Sequence, residues 1–442
     1  MAVSQRKAAR MPSAPRTVGV IGGGALGLTA AYDLAKLGIK VTIIEKGDQL
    51  GGLATAFKLG DAYLEKFYHH LFQTDRDITR LIEEVGLAQD LVWPRPSTSV
   101  YYEGVPYRLD SPVDVLRFSP LTLLDRLRLG MAIGYLKLLP SPSILEGITA
   151  NEWIQAWMGE RAYNVVWRPI FKQKFGDRFT QVSMPWFWAR LHFRTPRLGY
   201  LRGGFIRLYA ELARRVEEMG GTIKTGSAVT RLESDETGAA VEVAGGGRLR
   251  FDAVLATLPT RLFIRLAPSL PADYVDRYDW GQAYSAQCLV LELDRNLLNE
   301  IYWLSIHDPG YPFLVVVDHA NYMPASDYAG GHPVYFGNYL PPDHRLLRLT
   351  DREVLDEFEP YIKSINPSFD RRWIRQMHLF NAPFAQPIVT TDFVDHIPPH
   401  DTPLPNVFLA NMFQVYPQDR GQNYSVRLAH RVAEVIANSM GL

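Results

Sequence analysis

The sequence predicts an α/β fold that opens on a Rossmann-like strand–helix–strand unit. Three observations lead there. Residues 17–45 run strand, helix, strand. A GxGxxG pattern sits at the first strand–helix junction. The chain is also long and apolar enough, at 442 residues and 47% hydrophobic, for two or three domain-sized units.

Residues 1–16 carry Arg6, Lys7, Arg10 and Arg16 with no apolar stretch behind them. They read as a disordered tail and not as an export signal. Val18, Val20 and Ile21 are apolar and β-branched, which gives the first strand. Leu28–Leu37 is rich in Ala and Leu and reads as a helix, Gly38 stops it, and Ile39–Ile44 forms a second strand. That strand ends at Glu45, 18 residues after Gly27. In such a Rossmann-like unit Gly22 makes the tight turn, and Gly24 lets a pyrophosphate approach the backbone. Gly27 lets the helix pack on the strand. The N-terminus of that helix turns free N–H groups and a positive dipole end toward the phosphates, and Ala25, just after Gly24, counts among the cofactor-binding residues. Glu45 is placed to accept hydrogen bonds from ribose hydroxyls.

Composition narrows the function. Lys+Arg and Asp+Glu are each 47, so the formal net charge is zero. That balance argues against general nucleic-acid binding, which needs excess basic charge. A single cysteine, Cys288, excludes an intrachain disulfide and a Cys-rich metal centre. No metal-ligand spacing or GxSxG nucleophile motif is found. The reading is a soluble, cytoplasmic enzyme acting on a small molecule. The longest apolar candidate for a membrane, residues 121–140, is broken by Asp125, Arg126, Arg128 and Lys137. It reads as a helix packed on the protein body, or as an amphipathic helix lying on a membrane surface.

Past Glu45 come Lys46 and then the doublet Gly51-Gly52, followed by Leu53. On these residues the sequence resembles the flavin-dependent amine oxidase superfamily, which includes protoporphyrinogen oxidases, phytoene-type desaturases and, more distantly, UDP-galactopyranose mutases. The resemblance implies FAD, with the doublet passing close to its pyrophosphate. Residues 199–233, with Gly203-Gly204 and Gly220-Gly221, resemble the family's helix–strand block, in which Val229 would meet the adenine through its backbone. Residues 404–440 resemble the closing FAD block, where a helix N-terminus faces the flavin. Here the usual Gly-Asp is Ala410-Asn411, and the helix opens on Gln422, Asn423 and Tyr424. The resemblance implies a discontinuous FAD-binding domain of residues 17–90, 198–265 and 400–442. Residues 91–197 and 266–399 would form an inserted α+β substrate domain.

Candidates for chemistry follow. His69 and His70 lie soon after the doublet; as a pair with ordinary pKa values near 6.5 they suit general-base work, or else one is structural and the other exposed. By resemblance to the mutases, His70 matches a histidine over the flavin ring and Thr74 a threonine, while the second mutase histidine is Gln73 here. Arg168 and Lys172, at i and i+4 on a helix, could clamp a phosphate or carboxylate, or form a solvated basic face. Arg420 sits beside the closing helix, facing a substrate anion or the flavin, or else pairs locally with Asp419. Tyr339, Tyr416 and Tyr424 could wall the flavin or sit in the core. The first functional reading is an FAD-dependent oxidoreductase of oxidase or desaturase type, passing a hydride from a small organic substrate to flavin N5. The alternative is a non-redox sugar-nucleotide mutase. A flavin-bound module without turnover is a third reading.

Overall fold

The computed structural model describes residues 16–60 and 62–442. The expected tail falls outside the described residues except for Arg16, whose carbonyl accepts a 2.8 Å hydrogen bond from Lys40 N. Arg16 therefore belongs to the sheet and not to a tail.

Among the described residues, one sheet is wholly parallel. Its strands are β1 (Thr17–Ile21), β2 (Lys40–Ile44), β3 (Thr222–Lys224), β4 (Ala253–Ala256) and β5 (Val407–Leu409), in spatial order β3-β2-β1-β4-β5. Between β1 and β4 the order reverses, and ligands of doubly wound sheets bind at such a switch point. Helix α1 (Ala25–Lys36) follows β1, and helix α2 (Gln422–Ser439) closes the chain. Side chains alternate along each strand. Val18, Val20, Val41, Ile43, Ala253 and Leu255 pack against α1, α2 and the helix Ile206–Glu218. Ile21, Ile44, Val254 and Ala256 face an antiparallel layer built from residues 229–251. The result is three layers: helices, parallel sheet, antiparallel sheet.

A second, seven-stranded sheet joins residues 97–108 to residues 283–387. Its strand Ala283–Leu293 is buried along nearly its whole length. The strand Ser97–Tyr102 runs parallel to Ile301–Ile306, which locks the two stretches of chain together. One face, with Leu289, Leu291 and Phe336, packs on the helix Asp351–Ile365. The other, with Cys288, Val290 and Tyr335, faces the dinucleotide-type domain. Residues 112–192 form a helical layer around Trp153, Phe171, Phe175 and Trp186.

Gly27 sets the spacing between α1 and β1. A Cβ there would lie 2.0 Å from the Gly22 carbonyl oxygen. Gly27→Ala is therefore expected to push α1 off the sheet and cost about 1–3 kcal/mol, read as a lower urea midpoint. An unchanged midpoint would show that the helix can shift at no cost.

Candidate functional site

The site begins with two glycine turns held against each other. Gly51 N donates to the Gly23 carbonyl at 2.8 Å, and Gly24 pairs with Gly51 as an isolated bridge. Gly22 at φ +109° and Gly51 at φ +116° adopt backbone that favours glycine. Gly24 and Gly52 face one another: a Cβ on Gly52 would lie 3.2 Å from Gly24 Cα, and a Cβ on Gly24 would meet only Gly52, at 3.7 Å. Glu45 secures the floor, accepting from Gly23 N at 2.7 Å and from Gly47 N at 2.8 Å. Its main chain bonds to Lys224 O and Ser227 N, which brings Val229 to within two residues of the end of β2. Val229 itself pairs with Val243 in the antiparallel layer. Lys46 is exposed. Leu53 leaves the doublet to pack with Phe67, Tyr339, Ala286 and Ala382, so this turn also touches the second sheet.

Helix α1 starts at Ala25 with no side-chain cap and no acid in its first turn, and α2 starts at Gln422 in the same way. Their N-termini converge: a Cβ on Gly51 would lie 3.2 Å from the Tyr209 ring, and the Tyr209 hydroxyl donates to Gln422 Oε1. Beside them the Gln422 Nε2 and Asn423 Nδ2 amides are buried and have no partner. A glycine cradle that a side chain would fill, two uncapped helix N-termini and two orphaned amides together fit a dinucleotide's pyrophosphate and its attached ring.

Two of the expected cofactor residues also serve the fold through their side chains. Asn411 is buried with its side chain already used: Nδ2 donates to Leu258 O at 2.8 Å and Oδ1 accepts from Phe413 N at 2.9 Å. It ties β5 to the turn after β4. Asn423 Oδ1 caps the helix Arg76–Glu84, accepting from Asp77 N at 2.9 Å and Ile78 N at 3.2 Å. Only its amide nitrogen is free for a ligand. Tyr424 lies half-buried against the Arg427 guanidinium.

The opposite wall is cationic and aromatic. Asp419, just before α2, accepts from Lys174 Nζ at 3.1 Å and from the Arg190 guanidinium. Arg420 Nη1 lies 3.8 Å from the same carboxylate, but its main bonds go elsewhere: Nη1 to Gln386 Oε1 at 2.5 Å and Nη2 to the Tyr339 hydroxyl at 2.6 Å. Lys174 Nζ stands 5.5 Å from the Tyr339 ring centre and 5.1 Å from that of Trp186. Three cations thus face one carboxylate. Burial, with Arg190 and Arg420 alongside, pushes the Lys174 amine well below its usual range. Lys174, Arg190 and Arg420 hold the Asp419 carboxyl far below the usual carboxylate range despite its burial. Burial, with Tyr339 nearby, raises the Tyr68 hydroxyl.

Arg168 and Lys172 do not join this wall. They are exposed on the outer face of the helix Arg168–Phe175, whose inner face carries Phe171, Lys174 and Phe175. The i, i+4 spacing was real but selected the solvent side. Lys174, Arg190, Gln386 and Tyr68 were missed because no local pattern joins residues 68, 174, 190 and 386. Tyr339 stands in the wall. Tyr416 does not, since its hydroxyl donates to Glu146 at 2.8 Å within the helical layer. Gln73 and Thr74 lie at the surface, Gln73 N on Thr195 Oγ1 and Thr74 Oγ1 on Phe193 O.

His69 and His70 sit beside the wall but not as bases of ordinary pKa. Burial drives His69 down to about 4, with Arg420 adding to the drop. Burial, Arg194 and His69 drive His70 down to about 3. Both are neutral at pH 7, His69 Nδ1 against Phe67 O at 2.6 Å and His70 Nδ1 against the Tyr302 hydroxyl at 3.3 Å. The ordinary pKa near 6.5 is what changes: both imidazoles are neutral, only weakly basic, and able to accept or donate hydrogen bonds.

Residues 27–418 match the model of a family described as flavin containing amine oxidoreductase. The chain belongs to this family. It is 24% identical over 292 residues to a 15-cis-phytoene desaturase of Solanum lycopersicum, covering 59% of this chain and 49% of the relative. It is 24% identical over 275 residues to amine oxidase A of Sus scrofa, covering 58% and 52%. The chain thus spans about half the length of the curated relatives it matches. A solved reduced UDP-galactopyranose mutase superposes with a TM-score of 0.72 at 14% identity, over 97% of this chain and 96% of that one. This likeness places the mutase and the present protein in one fold.

Gly24→Val is expected to leave the fold intact, since the first side-chain carbon has room, but to fill the cradle and yield colourless protein. Full flavin content in that variant would remove this loop from the site. A pH dependence also follows. Burial lowers His69 and His307 to about 4, and His70 and His319 to about 3, from an unfolded value near 6.5. Their contribution to stability is complete above pH 6.5 and is lost as the pH falls toward 3–4. Asp75 and Asp318, raised to about 6 by burial, act in the opposite sense. His70→Gln should therefore lower the slope of unfolding free energy between pH 4.5 and 5.5 by about 1.4 kcal/mol per pH unit, measured by urea titration. An unchanged slope would mean His70 is protonated in the native state.

Proposed function

We propose that this protein is an FAD-dependent oxidoreductase of oxidase or desaturase type that takes a hydride from a small organic substrate. The observation that carries this reading is that two surfaces meet in one small apolar cluster. Leu53, which follows the glycine cradle, packs into the same cluster as Tyr339, and Tyr339 belongs to the wall with Arg420 and Lys174. When bound, FAD supplies the hydride acceptor. The residues of the chain bind, orient and exclude water. Gly24, Gly52 and the N–H groups at Ala25 leave room and donors for the pyrophosphate, and Glu45 has acceptor capacity left for ribose hydroxyls. Tyr68, Tyr339 and the neutral His69 and His70 form a wall of low polarity that keeps water from the reacting centre. Excess positive charge at Lys174, Arg190 and Arg420 orients a substrate that carries a carboxylate or phosphate. A bound anion would also help Lys174 keep its proton. The free, buried Cys288 fits a reducing cytoplasm. Among the described residues no helix is long and apolar enough to cross a membrane.

The same excess of cations favours a second reading, a non-redox sugar-nucleotide mutase whose substrate diphosphate the cations would hold. The surface placement of Gln73 and Thr74 weighs against it.

The test needs no known substrate. Acid extraction of the purified protein should release about one FAD per chain. Anaerobic reduction by dithionite followed by air should restore the oxidised bands. Reoxidation within seconds supports an oxidase, and slow reoxidation supports a desaturase. Slow reoxidation together with turnover of UDP-galactopyranose, and none of amines or polyenes, would replace the first reading by the second. Protein that neither carries nor takes up flavin would overturn both.

A further inference from the structure

Among the described residues fifteen large apolar side chains are exposed, and ten of them lie between Val105 and Trp157. Such clustering marks a binding surface and not the scattered exposure of an ordinary monomer. Its centre is the helix Leu123–Leu138, 16 residues and about 24 Å long. At about 100° per residue, Leu123, Leu124, Leu127, Met131 and Leu138 fall within an arc of roughly 100°. Leu124 is 69% exposed, Met131 67% and Leu138 85%. Gly134 lies in the same arc and Gly130 at its edge, each with open space where a Cβ would stand. The buried residues Leu129, Ala132 and Leu136 lie on the opposite side. One helix thus has two apolar faces, and only one of them is covered by the protein. Trp157, 51% exposed, stacks on Tyr135 at 5.3 Å and borders the open face with an aromatic edge.

The whole stretch 105–157 is balanced, with five basic and five acidic residues, but along the helix and its lead-in one sign is in excess. Residues 117–137 contain Arg117, Arg126, Arg128 and Lys137 against a single acid, Asp125. Asp125 is held by the helix cap, accepting from Thr122 Oγ1 at 2.6 Å. Among the described residues none of the four cations pairs with a carboxylate. Arg126 bonds the carbonyls of Leu121 and Leu116, Arg128 that of Ala156, and Lys137 that of Arg194. Carbonyl partners fix these side chains in place without cancelling their charge.

We propose that this face docks on an anionic lipid surface, with the helix lying in the plane of the interface. Leu123, Leu124, Leu127, Met131 and Leu138 enter the acyl boundary, and the flanking cations meet the headgroups. An in-plane helix requires an apolar stripe bordered by basic residues, and an anionic headgroup layer attracts each such cation near the surface. A second copy of the chain is the poorer occupant, because a two-fold interface presses one patch on itself and sets the same unpaired cations against each other.

The experiment is flotation of the full-length, flavin-loaded protein with vesicles of phosphatidylcholine alone or with phosphatidylserine added. The protein should float with the phosphatidylserine vesicles, and 0.5 M salt should reduce the bound fraction severalfold. The double variant L124E/M131E changes only exposed positions, so its flavin spectrum should match the wild type while its vesicle binding falls at least tenfold. L127D, made separately, should show the same loss. Failure of the wild type to float, or equal flotation of both variants, overturns the proposal. A wild-type dimer by light scattering that L124E/M131E converts to monomer would also overturn it, in favour of a second copy.

Discussion

A single 2.8 Å hydrogen bond, from Gly51 N to the Gly23 carbonyl, holds the two glycine turns of this protein side by side. Most of the site depends on it. It places Gly24 opposite Gly52 with no side chain between them, the condition for a phosphate to approach backbone from both sides. It also fixes where Leu53 leaves the first domain to meet Tyr339 and Ala286 of the second. Backbone at φ +116° is needed at Gly51 for that turn, so the constraint is conformational as well as steric. Glu45 reinforces it from below by spending one lone pair of each carboxylate oxygen on loop N–H groups.

The two sheets meet through a second set of polar contacts. Glu65 is fully buried and accepts from the Tyr200 hydroxyl at 2.7 Å and from Phe205 N at 2.6 Å, while its carbonyl accepts from the Tyr335 hydroxyl at 2.7 Å. Tyr200 lies 135 residues and Tyr335 270 residues from Glu65, and this one residue joins the turn that opens the helix Ile206–Glu218 to the seven-stranded sheet. Burial raises its carboxyl, and the donated hydrogen bonds oppose that rise. Asp419 shows the opposite balance. There three cations outweigh burial, and the carboxylate stays ionised among groups that otherwise repel one another. The positive charge left over is what distinguishes the cationic wall electrostatically from the apolar core around it.

Local pattern made much of the first domain legible. The β1–α1–β2 unit, the glycine turn and Glu45 all lie within about thirty residues, where periodicity and turn chemistry act directly. The cationic wall was hidden for the same reason. Lys174 and Arg190 come from two different helices, Tyr339 and Gln386 from two strands, and Asp419 from the loop before α2. Nothing in the spacing of basic residues along 167–179 separates Lys174 from Lys172, because which one faces inward depends on the packing of Phe171 and Phe175 against Trp186. The histidines show a further limit. Their position after the doublet could be read in the chain, but their protonation could not, since desolvation is a property of the assembled surroundings.

The sequence by itself determined the α/β class, the dinucleotide-type start and the membership of a flavin family. The first two rest on short-range signals, namely β-branched runs, an Ala/Leu-rich helix and glycines where a side chain would clash, and the third on resemblance of the Gly51-Gly52 doublet and the later blocks to that family. Only the tertiary structure decided which cations gather on Asp419, that Asn411 and Asn423 serve the fold through their side-chain oxygens, and that Arg168 and Lys172 face water. The contacts of Asp419 and Asn423 join residues hundreds of positions apart, and the outward turn of Arg168 and Lys172 depends on packing between neighbouring helices. Burial and charge compensation there are set by every neighbour at once, and no window of the chain contains them all.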